Sequence, residues 1–298
     1  MNEDALIAAL THGLASASDP RVRLGIGDDA AVLDDGTVLS VDAVVEGTHF
    51  RRAWLTLAEI GHRGTVAALS DLAAMGASPV AVLSSVAGPD AEELTEIMSG
   101  VGEAAQRYGA VVVGGNVARA EVLSLHSTVV GRVHAPWTRS GARVGDAIYV
   151  TGTVGAAALG WRALAEGLSL EPFVTRWRRP NARFDLVPHL RPSACIDVSD
   201  GVARELGLIC AASGVGARLE VAALPTEPGM SEAAARIDAD PDALALSGGE
   251  DYELLFTLAA SLDPTLATRV GEVIAGEGVN IVGRDGTIDH TRAGHQHY

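Results

Sequence analysis

Five short acidic motifs are the parts of this chain best suited to chemistry. They occupy residues 25–29, 40–42, 69–71, 197–201 and 247–251, and each sets one or two carboxylates among glycine, serine or apolar neighbours. Several follow runs that are typical of β-strands, beside residues that allow tight turns. Hard divalent cations take oxygen ligands, and Mg²⁺ usually combines one or two carboxylates with substrate phosphates. The pattern therefore predicts metal-assisted phosphate chemistry.

The absence of lysine narrows the class of protein. All 22 residues of the Lys and Arg total are arginines. P-loop NTPases and protein kinases each need a lysine on the nucleotide phosphates, and Schiff-base and pyridoxal-phosphate enzymes need a lysine amine. The sequence excludes these classes.

The net charge of −16 argues against nucleic acid as a partner, because nucleic-acid binding depends on neutralising phosphates with basic residues. A phosphorylated substrate would also avoid clustered carboxylates unless cations lay between them. Several Mg²⁺ ions would remove this conflict. A merely acidic, soluble protein explains the net charge but not the clustering.

The elements that must position these motifs mix helices and strands without strict alternation, which favours an α+β fold. Helical patterns cover residues 3–16, 57–75, 90–108 and 202–213. Strand-like runs cover 30–33, 37–41, 80–86, 111–113, 123–133, 146–150, 194–196, 217–221 and 254–258. The length of 298 residues favours two domains, and the pattern breaks near residues 136–141.

The lack of long apolar runs and the small number of cysteines indicate where the protein is located. No apolar run approaches the ~18 residues that span a bilayer, and the first four residues are acidic rather than basic. Two cysteines, Cys195 and Cys210, indicate no disulfide framework and suit core positions better than nucleophiles. We expect a cytoplasmic protein without a membrane partner.

The acidic motifs, in this order along nearly the whole chain, resemble the thiamine-monophosphate kinase family. That family belongs to the superfamily of aminoimidazole-ribonucleotide (AIR) synthetase and selenophosphate synthetase. The most specific pieces are residues 25–30, 45–50, 69–77, 197–201 and 247–254. The resemblance implies ATP-dependent phosphorylation of thiamine monophosphate to thiamine diphosphate, the last step in making that cofactor, with several Mg²⁺ ions and no covalent intermediate. It also implies a homodimer.

The resemblance further implies a two-domain AIR-synthetase-like fold. An N-terminal α/β domain with a mixed sheet, residues 1–136, would bind metal and ATP. A C-terminal α+β domain, residues 137–298, would follow it. Because both halves carry acidic motifs, we expect the site to lie between them, where domain closure would assemble it.

The candidate metal ligands come from both halves of the chain. They are Asp29, Ser40, Val41, Asp42, Asp71, Asn116, Asp197 and Asp200. Simpler readings exist, since Asp28 or Asp29 could cap a turn and Asp200 could belong to an ordinary turn before a helix. Asp71 lies in an apolar helical stretch, where an unpaired carboxylate is costly, so we expect ligation there.

The candidate ATP contacts are Gly115, Asn116, Arg139 and Ser199. In the family a Gly-Gly-Asp loop brings backbone N–H groups to the phosphates, and here its aspartate is replaced by Asn116. An amide keeps an oxygen ligand but loses the charge, so we expect one weaker metal site. Arg139 could alternatively be a solvated linker residue.

The candidate substrate contacts are His49, Glu250 and Tyr298. We expect Glu250 to complement a cationic thiazolium by charge. His49 could instead pack beside Phe50, and Tyr298 could be an ordinary tail residue.

Three alternative functions were compared with the favoured one. Selenophosphate synthetase would need an N-terminal cysteine or selenocysteine and an essential lysine, and this chain has neither. AIR synthetase is less easily excluded by chemistry, although residues 45–50 and 248–254 resemble the thiamine enzyme more. A non-catalytic nucleotide or metal sensor on the same scaffold gains weight only from Asn116.

Overall fold

The computed structural model describes residues 3–12, 19–259 and 261–289. The helices in these ranges are Glu3–Thr11 (α1), Leu57–Ala74 (α2), Ala91–Arg107 (α3), Ala156–Ala165 (α4), Phe173–Arg178 (α5), Val202–Ser213 (α6), Met230–Ala235 (α7) and Pro241–Ser247 (α8). The strands are Val22–Leu24 (β1), Ala31–Leu33 (β2), Thr37–Val45 (β3), Ser78–Gly88 (β4), Val111–Arg119 (β5), Ser124–Arg132 (β6), Ala147–Val150 (β7), Ala194–Asp197 (β8), Gly216–Glu220 (β9), Leu254–Leu258 (β10), Thr268–Ile274 (β11), Gly278–Val282 (β12) and Ile288–Asp289 (β13).

The strands of the N-terminal half form a mixed sheet in the order β1-β2-β3-β6-β4-β5. Only β4 and β5 pair in parallel, because α3 connects them and returns the chain to the same end of the sheet. The long helix α2 packs against β3 and β6, and α3 packs against α2. One face of the sheet is thereby covered, while several apolar side chains on the other face are exposed.

Helix α2 carries two of the acidic-motif residues, Ser70 and Asp71, and its ends are well defined. Thr56 and Glu59 form a reciprocal capping box at its start, which satisfies two backbone N–H groups. Gly76 ends it with φ of +67°, in the left-handed region that favours glycine. Nearly all of α2 is buried, since both the sheet and the C-terminal half pack on it.

The strands of the C-terminal half form a second mixed sheet in the order β13-β12-β9-β11-β7-β10-β8. Strands β9 and β12 pair in parallel and the remaining pairs are antiparallel. Helix α6 packs on this sheet against β8, β9 and β12. Strand β8 lies at one edge and contacts α2, which brings the motif at residues 197–201 to the N-terminal half.

The two halves share apolar packing. One buried cluster combines Ala73 and Ala74 of α2 with Tyr149, Leu254 and Phe256 of the second sheet. Trp177 of α5 is buried within the cluster that fills the N-terminal half. The predicted α+β fold is confirmed, whereas the division at residues 136 and 137 stays a prediction.

Most predicted elements are present, and one prediction was wrong in an informative way. The predicted loop at residues 114–116 lies inside strand β5, where its backbone pairs with β4. A Cβ atom at Gly115 would overlap the carbonyl oxygen of Ser84, so the strand needs glycine for close approach rather than for a turn. The predicted first helix ends at Thr11 among the described residues. No helix in the described ranges is long and apolar enough to cross a membrane.

Candidate functional site

A cleft of about 490 Å³ lies between the two halves and collects most of the predicted site residues. Its wall is formed by the end of β3, the loop at residues 47–51, helix α2, the loop after β8 and the loop after α8. The predicted residues that line it are Val41, Asp42, His49, Asp71, Asp197, Ser199, Asp200 and Glu250. The cleft has an acidic end and an aromatic end.

At the acidic end, two serine hydroxyls donate hydrogen bonds to two of the acids. Ser40 Oγ donates to Asp71 Oδ2 and lies 3.3 Å from the carbonyl oxygen of Asp29. Ser70 Oγ donates to Asp197 Oδ2 across 2.6 Å. Because Ser70 and Asp71 are consecutive residues of α2, this helix holds carboxylates of both halves beside each other.

The buried acids of this end destabilise one another's charged forms. Burial raises the pKa of Asp29 to about 6, although the neighbouring Arg139 acts in the opposite direction. Burial, together with the charge of Asp29, raises the pKa of Asp197 to about 7. Burial and the charges of Asp197 and Asp29 hold the pKa of Asp71 well above its ordinary value. Such a cluster favours a bound cation.

Arg139 forms an ion pair with Asp29 of this acidic end, and Arg204 forms one with Asp200. The Nη2 of Arg139 lies 2.6 Å from Asp29 Oδ1, and its backbone N–H donates to Asp28 Oδ1 across 2.9 Å. Asp29 Oδ2, in contrast, is buried and has no hydrogen-bond partner among the described residues. An orphaned carboxylate oxygen in a cluster of buried acids fits a divalent cation, so the donor set suits Mg²⁺.

The described residues contain no group of three or more His, Cys, Asp or Glu side chains arranged to hold one metal ion. This does not conflict with Mg²⁺, which keeps several waters and commonly takes only one or two carboxylates from the protein. The metal-ligand roles of Asp29, Ser40, Val41, Asp42, Asp71, Asn116, Asp197 and Asp200 stay predictions.

Glu205, which was not predicted as a site residue, stabilises the loop after β8. Glu205 of α6 accepts hydrogen bonds from Ser199 Oγ at 3.3 Å and from the backbone N–H of Asp200 at 3.1 Å. Burial and the charge of Asp197 raise the pKa of Glu205 to about 8. The only sequence signal for this role was a carboxylate within an apolar helix, five residues after Asp200.

Three tryptophans form the aromatic end, and none of them was predicted as a site residue. They are Trp54, Trp161 and Trp177, whereas the fourth tryptophan of the chain, Trp137, lies elsewhere. Trp54 and Trp177 meet edge to face with ring centroids 6.0 Å apart. These residues are far apart in sequence, so no local pattern could have grouped them.

Two predicted substrate residues lie in the same cleft. His49 Nδ1 accepts the backbone N–H of Val45 across 3.1 Å, which leaves the proton of a neutral imidazole on Nε2. Glu250 is held by Arg63 and by Trp177, whose Nε1 donates to Glu250 Oε2 across 2.8 Å. Tyr298, the third predicted substrate residue, lies outside the described residues.

The structure does not bring Gly115 and Asn116 into this cleft. The strand register aligns Asp42, Ser127, Ser84 and Gly115 across β3, β6, β4 and β5. Three strand spacings of ~4.8 Å put Gly115 about 14 Å from Asp42. The two residues lie on an edge strand that is exposed along its whole length.

Comparison with known proteins covers both halves. The family model described as "AIR synthase related protein, N-terminal domain" matches residues 27–133. The thiamine-monophosphate kinase of Rhodopirellula baltica is 37% identical over 288 residues, covering 87% of this chain and 86% of the relative. That of Escherichia coli (strain K12) is 38% identical over 257 residues, covering 80% and 77%. A solved structure described as "AaThiL complexed with AMPPCP and TMP" superposes with a TM-score of 0.90 at 30% identity, covering 100% of this chain and 97% of that chain. This chain belongs to the thiamine-monophosphate kinase family.

Proposed function

We propose that this protein transfers the γ-phosphate of ATP directly to thiamine monophosphate and forms thiamine diphosphate. The observation that carries the proposal is the two-ended cleft. Buried carboxylates from both halves face one end, and three tryptophans with Glu250 line the other. A phosphorylated heteroaromatic substrate has a phosphate that a metal at the acidic end could bind and a ring that the tryptophans could contact. The solved relative whose description includes AMPPCP and TMP supports the same pair of ligands.

The described residues supply positioning rather than a nucleophile. Phosphoryl transfer requires little covalent chemistry from a protein, and the acceptor phosphate is already an oxyanion near neutral pH. Burial raises the pKa of the Cys210 thiol to about 11 and holds that of Cys195 well above its usual value. Neither cysteine is therefore suited to form a covalent intermediate.

The acidic end would hold several Mg²⁺ ions. We assign Asp29, Asp71 and Asp197 to them first, with Asp42, Asp200, Ser40, Val41 and Asn116 as further oxygen donors. When bound, the metal neutralises phosphate charge and aligns the reacting groups. Asp29 would then bind the metal instead of Arg139. The guanidinium of Arg139 would be released to contact ATP together with Ser199.

We also propose a homodimer formed through the uncovered face of the N-terminal sheet. The exposed large apolar side chains of β3, β4 and β5 are Val41, Val80, Leu83, Val111, Val112, Val113 and Val117. An open edge strand with an exposed apolar face is usually covered by other protein. A second copy would cover it and enclose Gly115 and Asn116, which one chain leaves exposed. Both cysteines are free and buried, which supports location in the reducing cytoplasm.

One reaction tests the proposed function. The purified protein is incubated with ATP, Mg²⁺ and thiamine monophosphate, and thiamine diphosphate is measured by chromatography. We expect product with ATP and none with AMPPCP. An Asp197→Asn variant should lose most of the rate, because it removes a buried carboxylate from the acidic end.

Two outcomes would contradict the proposal. Binding of ATP without product from any phosphate acceptor would favour a nucleotide or metal sensor. ATP consumption with another acceptor, while thiamine monophosphate stays unchanged, would favour a different ATP-using activity of the superfamily.

A further inference from the structure

Arg63 is a buried cation in the middle of α2 that the proposed chemistry does not use. It is 2% exposed, and most of the buried residues around it in the helix are apolar or small. Its Nη1 donates to the carbonyl oxygen of Trp177 across 2.6 Å, and its Nη2 donates to Glu250 Oε1. The guanidinium carbon also lies 4.5 Å from the centroid of the Trp177 ring. A charge is costly to bury, and these contacts with Trp177 and Glu250 compensate that cost.

The carboxylate of Glu250 is fixed from two sides. Oε1 accepts from Arg63 and Oε2 accepts from Trp177 Nε1, so neither oxygen can rotate away without breaking a hydrogen bond. Its side chain stays 27% exposed toward the cleft. Each carboxylate oxygen keeps a second lone pair, which leaves acceptor capacity for a ligand.

The backbone beneath this carboxylate is strained, and the fold maintains it. Glu250 has φ of +61° and Tyr252 has φ of +53°, values that non-glycine residues rarely adopt. The N–H groups of Glu250 and Tyr252 donate to the carbonyl oxygens of Ser199 and Val198 at 2.7 and 2.9 Å. The loop is therefore tied to the acidic motif at residues 197–201, and Glu250 has one fixed place in the cleft.

Pairing with Arg63 changes what Glu250 can recognise. The two charges compensate each other at contact distance, so the net field toward the cleft is weak. A compensated carboxylate of fixed direction suits a neutral N–H donor better than a positively charged ring. The tryptophans beside it suit the flat faces of an aromatic ligand.

We propose that Arg63 is a positioning residue that aims Glu250 at the amino group of the substrate's aminopyrimidine ring. This inference rests on the proposed function, because thiamine monophosphate supplies that ring. Arg63 belongs to the N-terminal half, while Trp177 and Glu250 belong to the C-terminal half. The ring-binding end therefore exists only when the halves are docked. This role differs from our expectation that Glu250 is a simple counter-ion for the thiazolium, and the experiment below distinguishes the two.

The test compares thiamine monophosphate with oxythiamine monophosphate, in which an oxygen replaces the amino group. Affinity is measured by calorimetry and steady-state constants by product formation, so that binding is followed apart from turnover. We expect wild type to prefer the amino compound by about tenfold or more, because the analogue would place an acceptor against an acceptor. Arg63→Met and Glu250→Gln should each reduce this preference toward unity.

Arg63→Met should raise the KM for thiamine monophosphate about 10- to 100-fold while the KM for ATP changes less than about twofold. Arg63→Lys should recover part of the loss, since an ammonium reaches only one of the two acceptors. The double variant Arg63→Met, Glu250→Gln should be no worse than Glu250→Gln alone. Arg183→Met is the matched control, because Arg183 pairs with the buried Glu253 from the same loop but lies outside the large cleft. It should leave both KM values unchanged.

Several results would overturn the inference. They are equal changes in both KM values, additive effects in the double variant, or an undiminished preference for the amino compound. If Arg63→Met does not fold, Trp177→Phe removes the other hydrogen bond to Glu250, and an unchanged preference in that variant is equally decisive. A wild type that neither binds nor phosphorylates thiamine monophosphate overturns the proposed function and this inference together. A wild type that is active while the variants keep its preference overturns this inference alone.

Discussion

Asp251, a buried carboxyl away from the acidic end, should make its own contribution to the pH dependence of stability. It lies in the loop between α8 and β10. Its Oδ2 accepts the N–H of Gly155 at 2.7 Å, and its Oδ1 accepts the N–H of Ala157 at 3.2 Å. These groups begin α4, whose N-cap Gly155 has no side chain to satisfy them. Burial nevertheless raises the pKa of Asp251 from 3.8 to about 7.

The sign of the effect follows from proton binding. Because the folded pKa is the higher one, the folded state holds a proton that the unfolded state releases between about pH 4 and 7. The stability contributed by this carboxyl is complete below the unfolded pKa and is lost as the pH rises through the folded value. Between pH 5 and 7 the loss is at most about 3 kcal/mol, at ~1.36 kcal/mol per pKa unit.

The perturbation is Asp251→Asn, which keeps the shape and one acceptor oxygen but cannot titrate. The free energy of unfolding is measured by urea titration at pH 5, 6, 7 and 8 for both proteins, with tryptophan fluorescence as the signal. We expect wild type to lose stability relative to the variant over this range. Asp90→Asn serves as control, because Asp90 also accepts two N–H groups at a helix start but lies exposed. Its difference from wild type is measured at the same four pH values. A constant difference for Asp251→Asn would show that the start of α4 offsets the cost of burying the ionised carboxylate, and would refute the reasoning.

Three further predictions concern the acidic end and the exposed sheet. Added Mg²⁺ should raise the Tm, and at a hundredfold excess over its Kd it should add about 2.7 kcal/mol to the free energy of unfolding. Asp71→Asn should stabilise the metal-free protein and reduce this effect of Mg²⁺. Equal effects of Mg²⁺ on the two proteins would contradict this. Asn116→Asp should lower the Mg²⁺ concentration needed for half-maximal activity about two- to tenfold, and an unchanged Mg²⁺ dependence would show that the substitution is harmless. Val117→Glu should convert a dimer to a monomer in light scattering, because Val117 is 71% exposed in one chain and would be buried by a second copy. The control Val144→Glu, 60% exposed in the C-terminal half, should leave the mass unchanged.

The class of chemistry was predictable because it depends on residue type and local order. The acidic motifs and the missing lysines need only the sequence to indicate ATP-dependent phosphate chemistry, whereas Mg²⁺ and the absence of a covalent nucleophile stay predictions. Helix α2 was likewise predictable, since apolar residues at helical spacing end at Gly76. Local patterns also identified β10, whose observed bounds, Leu254–Leu258, match the predicted run.

The local sequence predicted the wrong conformation where strand pairing determines the structure. Residues 114–116 contain two glycines and an asparagine, which is a turn-like composition, yet β4 supplies the hydrogen bonds that make them a strand. Strands β11 and β12 were also missed, because their pairing with β7 and β9 involves residues that are distant in sequence.

The sequence by itself determined which acids, glycines and arginines were available and what reaction class they suit. Only the tertiary structure decided which of them meet. Ser70 and Asp71 reach Asp197 because α2 packs against β8, and Arg63 reaches Glu250 across 187 positions of the chain. Docking of the two halves creates these contacts, and burial then sets the charges. A carboxylate such as Asp29 has its ordinary pKa in an unfolded chain, and a raised one only where the fold removes water and adds neighbouring acids.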